Sequence, residues 1–337
     1  MEMASATFRH VDGMFLESGK KLCPLEVRWC SAGKGPIVWV CPPFTASPNV
    51  FQWWSELFGP GKFFDPSRYT IVCPAMIGSS YGSSGPLSEM VEGGSRFYAE
   101  FPRITMRDIV GASEMLRRYM MIERVHALIG PSMGGKQALE WAVTAPEVFD
   151  HLILIGCNAS QSPYNVALNE AQRMAIEADP TWTASTDVAG QAGLMAARAF
   201  AVATYRTHAI YQATQGGLNE DGVFRAAAYQ RHIGKELSSR FCAVSYLRLS
   251  EAADSHDVAH GRGSLSFALS RVTSKCAVVS LEADLGYPET EMRAWSSQIR
   301  NSRHYHIQTI YGHDGFLKER AALEAIFVSE LGGAGDA

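Results

Sequence analysis

The chain has 337 residues, with 30 Lys and Arg against 34 Asp and Glu, a formal net charge of −4, and 47% hydrophobic residues. Such a length allows one large α/β domain with an insertion, or two domains, and the apolar fraction supports a sizeable core. The charge gives no electrostatic footprint for nucleic acid or an anionic membrane surface, and no apolar stretch approaches the ~18 residues of a membrane span. Met1–His10 carries no apolar h-region, so no secretion signal is expected. The seven cysteines are scattered and form no Cys-x-x-Cys. Cys41, Cys73, Cys157 and Cys276 each lie in or beside an apolar run, which predicts buried free thiols and suits a reducing cytoplasm. Residues 332–337 read as a frayed tail.

In chain order, Leu25–Cys30 alternates weakly and is expected to be one strand of an antiparallel pair. Ile37–Cys41 reads as a buried strand ending at Pro42-Pro43-Phe44-Thr45-Ala46-Ser47, and Tyr69–Cys73 as the next. Between them lies an aromatic and glycine-rich loop with Trp53-Trp54 and Phe58–Lys62. Gly78–Pro86 has no periodicity and reads as a loop. A helix is predicted over Met106–Tyr119: Thr105 and Asp108 have capping-box spacing, Ile104 can staple onto Ile109, and Ile109, Ala112, Met115, Leu116 and Tyr119 form an inward stripe.

Val125–Ile129 is short, apolar and partly β-branched, as a buried parallel strand should be. Gly130-Pro131-Ser132-Met133-Gly134 follows, and then Lys136–Ala145 with helical character. Strand, sharp turn and helix around Gly-x-Ser-x-Gly form the nucleophile elbow of an α/β-hydrolase fold. A strained serine backbone tolerates only small neighbours, hence Gly130 and Gly134. The start of the helix turns its N–H groups and positive dipole end toward a developing oxyanion. This makes the Met133 N–H one oxyanion donor. A loop after an earlier strand supplies the other, and since prolines have no N–H, Phe44 is the first available. A glycine-rich turn with an incidental serine is the alternative reading.

His151–Ile155 continues the sheet, and Tyr164–Ala178 reads as a helix. Residues 161–265 lack long strand-like runs and show helical spacing in Gly193–Ala203 and Phe241–Ala253. The expected organisation is therefore a core of residues 1–160 and 266–337, with a mostly parallel sheet, and a helical lid insertion at 161–265. Strands resume at Cys276–Leu281 and Tyr305–Ile310, and a final helix is predicted over Gly315–Leu331.

The fold orders its triad Ser…Asp/Glu…His, with the acid after a late strand and the histidine after the last. Asp284 and His313 stand at those places, with Glu282 a rival for the acid. His313 would take the Ser132 proton and return it to the leaving group, while Asp284 holds the imidazole tautomer. His256 and His260 suggest a metal pair, but no third ligand of suitable spacing accompanies them, so no metal site is expected.

Several segments together resemble the homoserine O-acetyltransferase family: Ser132-Met133-Gly134-Gly135 with Gln137-Ala138-Leu139-Glu140-Trp141, Trp53-Trp54 with Gly59-Pro60-Gly61-Lys62, Gly82–Pro86, Phe101-Pro102, and Asn165 with Asn169-Glu170. Ser245-Tyr246-Leu247, His256-Asp257-Val258 and Gly312-His313-Asp314-Gly315 extend the resemblance, which runs from about residue 37 to 320. It implies that acetyl-CoA acetylates the serine as co-substrate and that an amino-acid hydroxyl then attacks, without a metal or bound cofactor. It also implies that Arg198 clamps the substrate carboxylate, Tyr205 donates a nearby hydroxyl, Asp314 receives the ammonium, and the chain forms a homodimer. A zwitterion does need one fixed cation and one fixed anion.

The sequence departs from the family at Pro42-Pro43-Phe44-Thr45-Ala46, at Gly130-Pro131, at Leu285-Gly286-Tyr287-Pro288, and in lacking an Arg-Phe-Gly segment soon after Tyr205. These departures touch the acyl pocket and the lid. They leave open whether the donor is acetyl or succinyl and whether the acceptor is homoserine, serine or another alcohol. A carboxylic ester hydrolase using the same triad is the competing reading, and a non-enzymatic binding protein the third.

Overall fold

The computed structural model describes residues 2–90 and 93–332. Of the tail expected at 332–337, all but Gly332 lies outside them. An eight-stranded sheet runs through the chain: β1 (Ala4–His10), β2 (Leu25–Ala32), β3 (Ile37–Val40), β4 (Thr70–Pro74), β5 (Val125–Pro131), β6 (Phe149–Ile155), β7 (Lys275–Leu281) and β8 (Ser302–Ile307). Its spatial order is β1-β2-β4-β3-β5-β6-β7-β8, and the β1–β2 and β2–β4 pairs are antiparallel while the other pairs are parallel, so that β2 alone of these strands runs against the rest. The order reverses between β3 and β5, which pair side by side with Val38 opposite Ala127. Ligand crevices in open α/β sheets form at such a switch point. Here the 42–47 loop after β3 and the serine turn after β5 meet there.

The central strands are apolar without alternation because both faces are covered. Leu128, Leu152, Leu154 and Val278 point into one core layer, and Ala127, Ile129, Ile153 and Val279 into the other. On the first side the elbow helix Met133–Thr144 sets Trp141 edge-on to Trp39, with ring centroids 5.1 Å apart. On the second, Trp54, Phe58 and Phe64 stack in succession, and Phe327 packs tilted against Phe64.

Helix Met106–Tyr119 begins with the capping box of Thr105 and Asp108. Ile109, Ala112 and Leu116 are buried, but Tyr119 is 57% exposed. Rather than entering the core it stacks at 4.8 Å on Phe8 of β1. That strand is mostly exposed and therefore carries no hydrophobic signature. The elbow helix starts at Met133, directly after the serine, instead of at 136. The last strand ends at Ile307, and the final helix is broken at Glu319 into Gly315–Lys318 and Arg320–Leu331.

Between β6 and β7 the chain forms the helices Pro163–Glu177, Gln191–Tyr205, His208–Gln215, Arg225–Ser238, Ala243–Asp254 and Leu265–Ser270. Gly193 and Gly234 let them cross closely: a Cβ on Gly234 would lie 2.6 Å from the Met195 carbonyl oxygen. Among the described residues no helix is long and apolar enough to cross a membrane. Cys41, Cys73, Cys157 and Cys276 are buried free thiols.

The inserted segment is tied to the core by Glu140, an elbow-helix acid whose side chain is 2% exposed. Its Oε2 accepts from Arg262 Nη1 at 2.9 Å, and Arg107 Nε lies 3.2 Å from its Oε1. Removing one partner of a buried ion pair costs about 3–5 kcal/mol, because the remaining charges lose their compensation. Glu140→Ala is therefore expected to lower the unfolding free energy by about 3 kcal/mol or more in urea titrations. An unchanged midpoint would show that the two arginines stand without it.

Candidate active site

Ser132 sits at φ 56° and ψ −125°, a left-handed backbone that a residue with a side chain seldom adopts. Its amide donates to the Ile155 carbonyl at 2.8 Å, and its carbonyl accepts from Gly135 at 2.9 Å. The turn fits only because its neighbours lack side chains. A Cβ on Gly130 would stand 2.1 Å from the Gly134 oxygen, and one on Gly134 would stand 2.1 Å from the Cys41 oxygen.

The partners arrive from the far half of the sheet. Ser132 Oγ lies 2.8 Å from His313 Nε2, and His313 Nδ1 lies 2.6 Å from Asp284 Oδ2. The other carboxylate oxygen accepts from the amides of Gly286 and Tyr287 at 2.9 and 3.1 Å. Asp284 follows Ala283, whose φ of 57° is a second strained position, in the turn after β7. The rival Glu282 is instead half-exposed and bonds His306 Nε2 at 2.7 Å. His313 is packed by the rings of Tyr205, Tyr287 and Phe316. Burial by itself would lower the imidazole pKa. The charge and hydrogen bond of Asp284, with a smaller contribution from Asp314, outweigh burial and hold it above its ordinary value. This arrangement can take a proton from Ser132 and return it to a leaving group.

The 42–47 loop is held from both sides. Gln137 Nε2 donates to the Pro42 oxygen at 3.0 Å, and Tyr81 and Arg240 donate to the Thr45 oxygen at 2.9 and 3.0 Å. Phe44 packs on Tyr246 and borders the space around Ser132. Met133 opens the elbow helix, where a first-turn N–H has no helical acceptor.

Two cavities meet at Ser132 and His313. One is bordered by Arg198, Arg240, Asp314, Tyr205, Trp53 and Phe44. Among the described residues Arg198 makes no ion pair, but Asp314 does: its Oδ2 accepts from Arg206 Nε at 2.7 Å. The implied pair of opposite charges thus includes a second arginine, stacked on Tyr229, that the sequence reading did not assign to the site. Burial raises the Tyr205 pKa, so its phenol stays a neutral donor. The other cavity, also bordered by Tyr205, is lined by Lys136, Gln161, Asn165, Asn169, Gln172 and Tyr287. Lys136 and Gln161 escaped notice because a polar residue in an apolar helix or a loop carries no partner signal of its own. His256, once a candidate metal ligand, lies buried with Nε2 2.8 Å from the Asn158 oxygen.

A family model described as the alpha/beta hydrolase fold matches residues 36–205. A homoserine O-acetyltransferase of Cyclobacterium marinum is 38% identical over 335 residues, covering 98% of this chain and 95% of that one. In structure, the homoserine O-acetyltransferase of Bacillus anthracis superposes with a TM-score of 0.90 at 21% identity, with 100% of both chains covered. An acetylester hydrolase of Corynebacterium glutamicum gives 0.86 at 20% identity, covering 98% and 96%. The two solved structures speak for the fold alone.

Asp284→Asn is expected to lower kcat about 10⁴-fold, the loss known for the equivalent change in a serine protease, while Glu282→Gln leaves it within a factor of a few. The reverse ranking in steady-state assays would make Glu282 the acid. The raised pKa of His313 also sets a pH window. The base acts when neutral, so the acidic limb of kcat/KM should fall above ~6.5, the ordinary histidine value. Stability gained from protonated His313 is fully present below that value and lost as pH rises through the folded-state pKa. A limb below ~6.5 in the pH–rate profile would contradict the pairing with Asp284.

Proposed function

The chain belongs to the homoserine O-acetyltransferase family, and on that footing we propose that it transfers an acetyl group from acetyl-CoA to the hydroxyl of L-homoserine through acetyl-Ser132. The observation that carries this reading is the unbroken Ser132–His313–Asp284 hydrogen-bonded chain, set beside a cavity that holds both Arg198 and Asp314. Ser132 Oγ attacks the thioester carbonyl as its proton passes to His313 Nε2. The amides of Phe44 and Met133 receive the oxyanion, and the thiolate leaves with the proton from His313. The acceptor hydroxyl then gives its proton to His313 and attacks the acyl carbon, and Ser132 regains its proton as the ester bond breaks. Arg198 takes the acceptor carboxylate in two parallel hydrogen bonds. Asp314 Oδ1, the oxygen opposite the Arg206 bond, takes the ammonium.

Hydrolysis is the second reading, because nothing in the triad itself distinguishes an acceptor hydroxyl from water. Water reaching acetyl-Ser132 before the acceptor would turn the same triad into an esterase.

Single-turnover kinetics of the two half-reactions test the proposal. Intact-protein mass spectrometry after acetyl-CoA should find one acetyl group on the wild type and none on Ser132→Ala. Arg198→Ala should acetylate at near wild-type rate but transfer to homoserine tenfold to over a hundredfold less efficiently, since a lost charge-assisted hydrogen bond costs about 1.5–3 kcal/mol. Equal slowing of both half-reactions would remove Arg198 from the acceptor site. An acetyl-enzyme that decays equally fast with and without homoserine would establish the hydrolase.

A further inference from the structure

Lys136 has no part in the chemistry described so far, yet it stands four residues beyond Ser132 on the elbow helix. Residues so spaced share a helix face, and both line the same cavity. The side chain is fully buried, with 1% exposure. Its ammonium donates to Gln161 Oε1 and lies 5.6 Å from the centre of the Tyr287 ring, whose own centre is 5.2 Å from the His313 ring. The cation is thus only one aromatic ring away from the catalytic base.

Among the described residues no carboxylate pairs with it. Asp254, in the same network, is already taken: Gln161 and Asn169 donate to its Oδ1 at 2.9 and 2.7 Å, and Arg173 donates to its Oδ2 at 2.6 Å. An ammonium carries three donors, and among the described residues only Gln161 accepts from this one. Burying a cation without a counter-ion is costly, and burial accordingly pushes Lys136 down to about 8. A strut to Gln161 does not account for that cost. Gln161 is independently anchored by Asp254 and by its own amide, which donates to the His256 carbonyl at 2.7 Å.

The cavity differs in kind from its neighbour. Where the Arg198 side offers charges of both signs, this side offers one cation, a wall of neutral amides from Asn165, Asn169 and Gln172, and no carboxylate beyond the Asp284 already held by His313. That complements a single negative charge, and since it opens at Ser132 Oγ the charge would sit on the acyl group. We propose that Lys136 is a carboxylate seat in the acyl pocket, and that the enzyme also accepts coenzyme A thioesters of short dicarboxylic acids, of which the succinyl group is the type. This rests on the acyl-transfer reading above. The far carboxylate is a spectator: Ser132 Oγ bonds the thioester carbonyl, the C–S bond breaks, His313 carries the proton to the thiolate, and the second half-reaction releases the ω-carboxyacyl ester of the acceptor.

The test compares acylation of Ser132 by succinyl-CoA and acetyl-CoA, by rapid quench and intact-protein mass spectrometry, in wild type, Lys136→Met and Lys136→Arg. The ratio of the two rates within one preparation is independent of how much of it is folded. Wild type should form succinyl-Ser132 within about tenfold of the acetyl rate. Lys136→Met should lower the succinyl-to-acetyl ratio about tenfold to a hundredfold, the range for a lost charge-assisted hydrogen bond, and Lys136→Arg should retain most of it. An unchanged ratio in Lys136→Met, or a wild type that forms acetyl-Ser132 but no succinyl-Ser132, overturns the seat. If neither thioester labels Ser132, the transferase reading itself falls. The seat is then judged on p-nitrophenyl acetate against mono-p-nitrophenyl succinate, where an unchanged ratio in Lys136→Met overturns it as well.

Discussion

A close backbone approach that leaves no room for a single methyl group holds the site together. Gly130 meets the Gly134 carbonyl, and Gly134 meets the carbonyl of Cys41 at the end of β3. These contacts press the elbow helix against the strand that leads into the 42–47 loop, and they keep Ser132 in its left-handed conformation. Native interiors transmit such strain because they pack as densely as organic crystals. Everything downstream, from the aim of Oγ at His313 to the nearness of Phe44 and Met133, follows from that contact. The surrounding core, with Trp39 and Trp141 on one face and the Trp54 and Phe64 stack on the other, over-determines a turn that would not persist alone.

The parts of the site set by local pattern were legible in the sequence. Ser132 follows an apolar strand and precedes a helix, Asp284 follows the next-to-last strand, and His313 follows the last. Each position is fixed by where a parallel strand ends, and buried strands announce themselves by composition. The capping box at Thr105 and Asp108 was legible from its three-residue spacing. Strand β1 was not, since its exposed side chains carry no apolar period. Nor were the helices His208–Gln215 and Arg225–Ser238, whose polar composition hides one buried face. Least legible were pairings across long separations. Arg206 reaches Asp314 over 108 residues, and Arg262 reaches Glu140 over 122, and no period in a sequence records such a meeting.

The two cavities at Ser132 differ in the charges that line them. Transferases and ester hydrolases share this fold and can share this triad, so the choice between them lies in what surrounds the acyl-serine rather than in the triad itself. On the proposed mechanism, the charges of Arg198, Arg206 and Asp314 on one side and the amides around Lys136 on the other would give each half-reaction its own wall. Differential binding of this kind lets one nucleophile discriminate donor from acceptor.

The order of the chain adds a consequence for synthesis. Ser132, Phe44 and Met133 belong to the first half of the sheet, while Asp284 and His313 come after the inserted helices, in the turns that follow the strands added beside β6. As the polypeptide leaves the ribosome, the strained serine is made long before its hydrogen-bond partner His313. Until β7 and β8 have joined the sheet, Ser132 Oγ lacks the His313 Nε2 partner of the finished site. A chain interrupted anywhere among the inserted helices therefore carries the elbow residues without the carboxylate and histidine that complete the hydrogen-bonded chain.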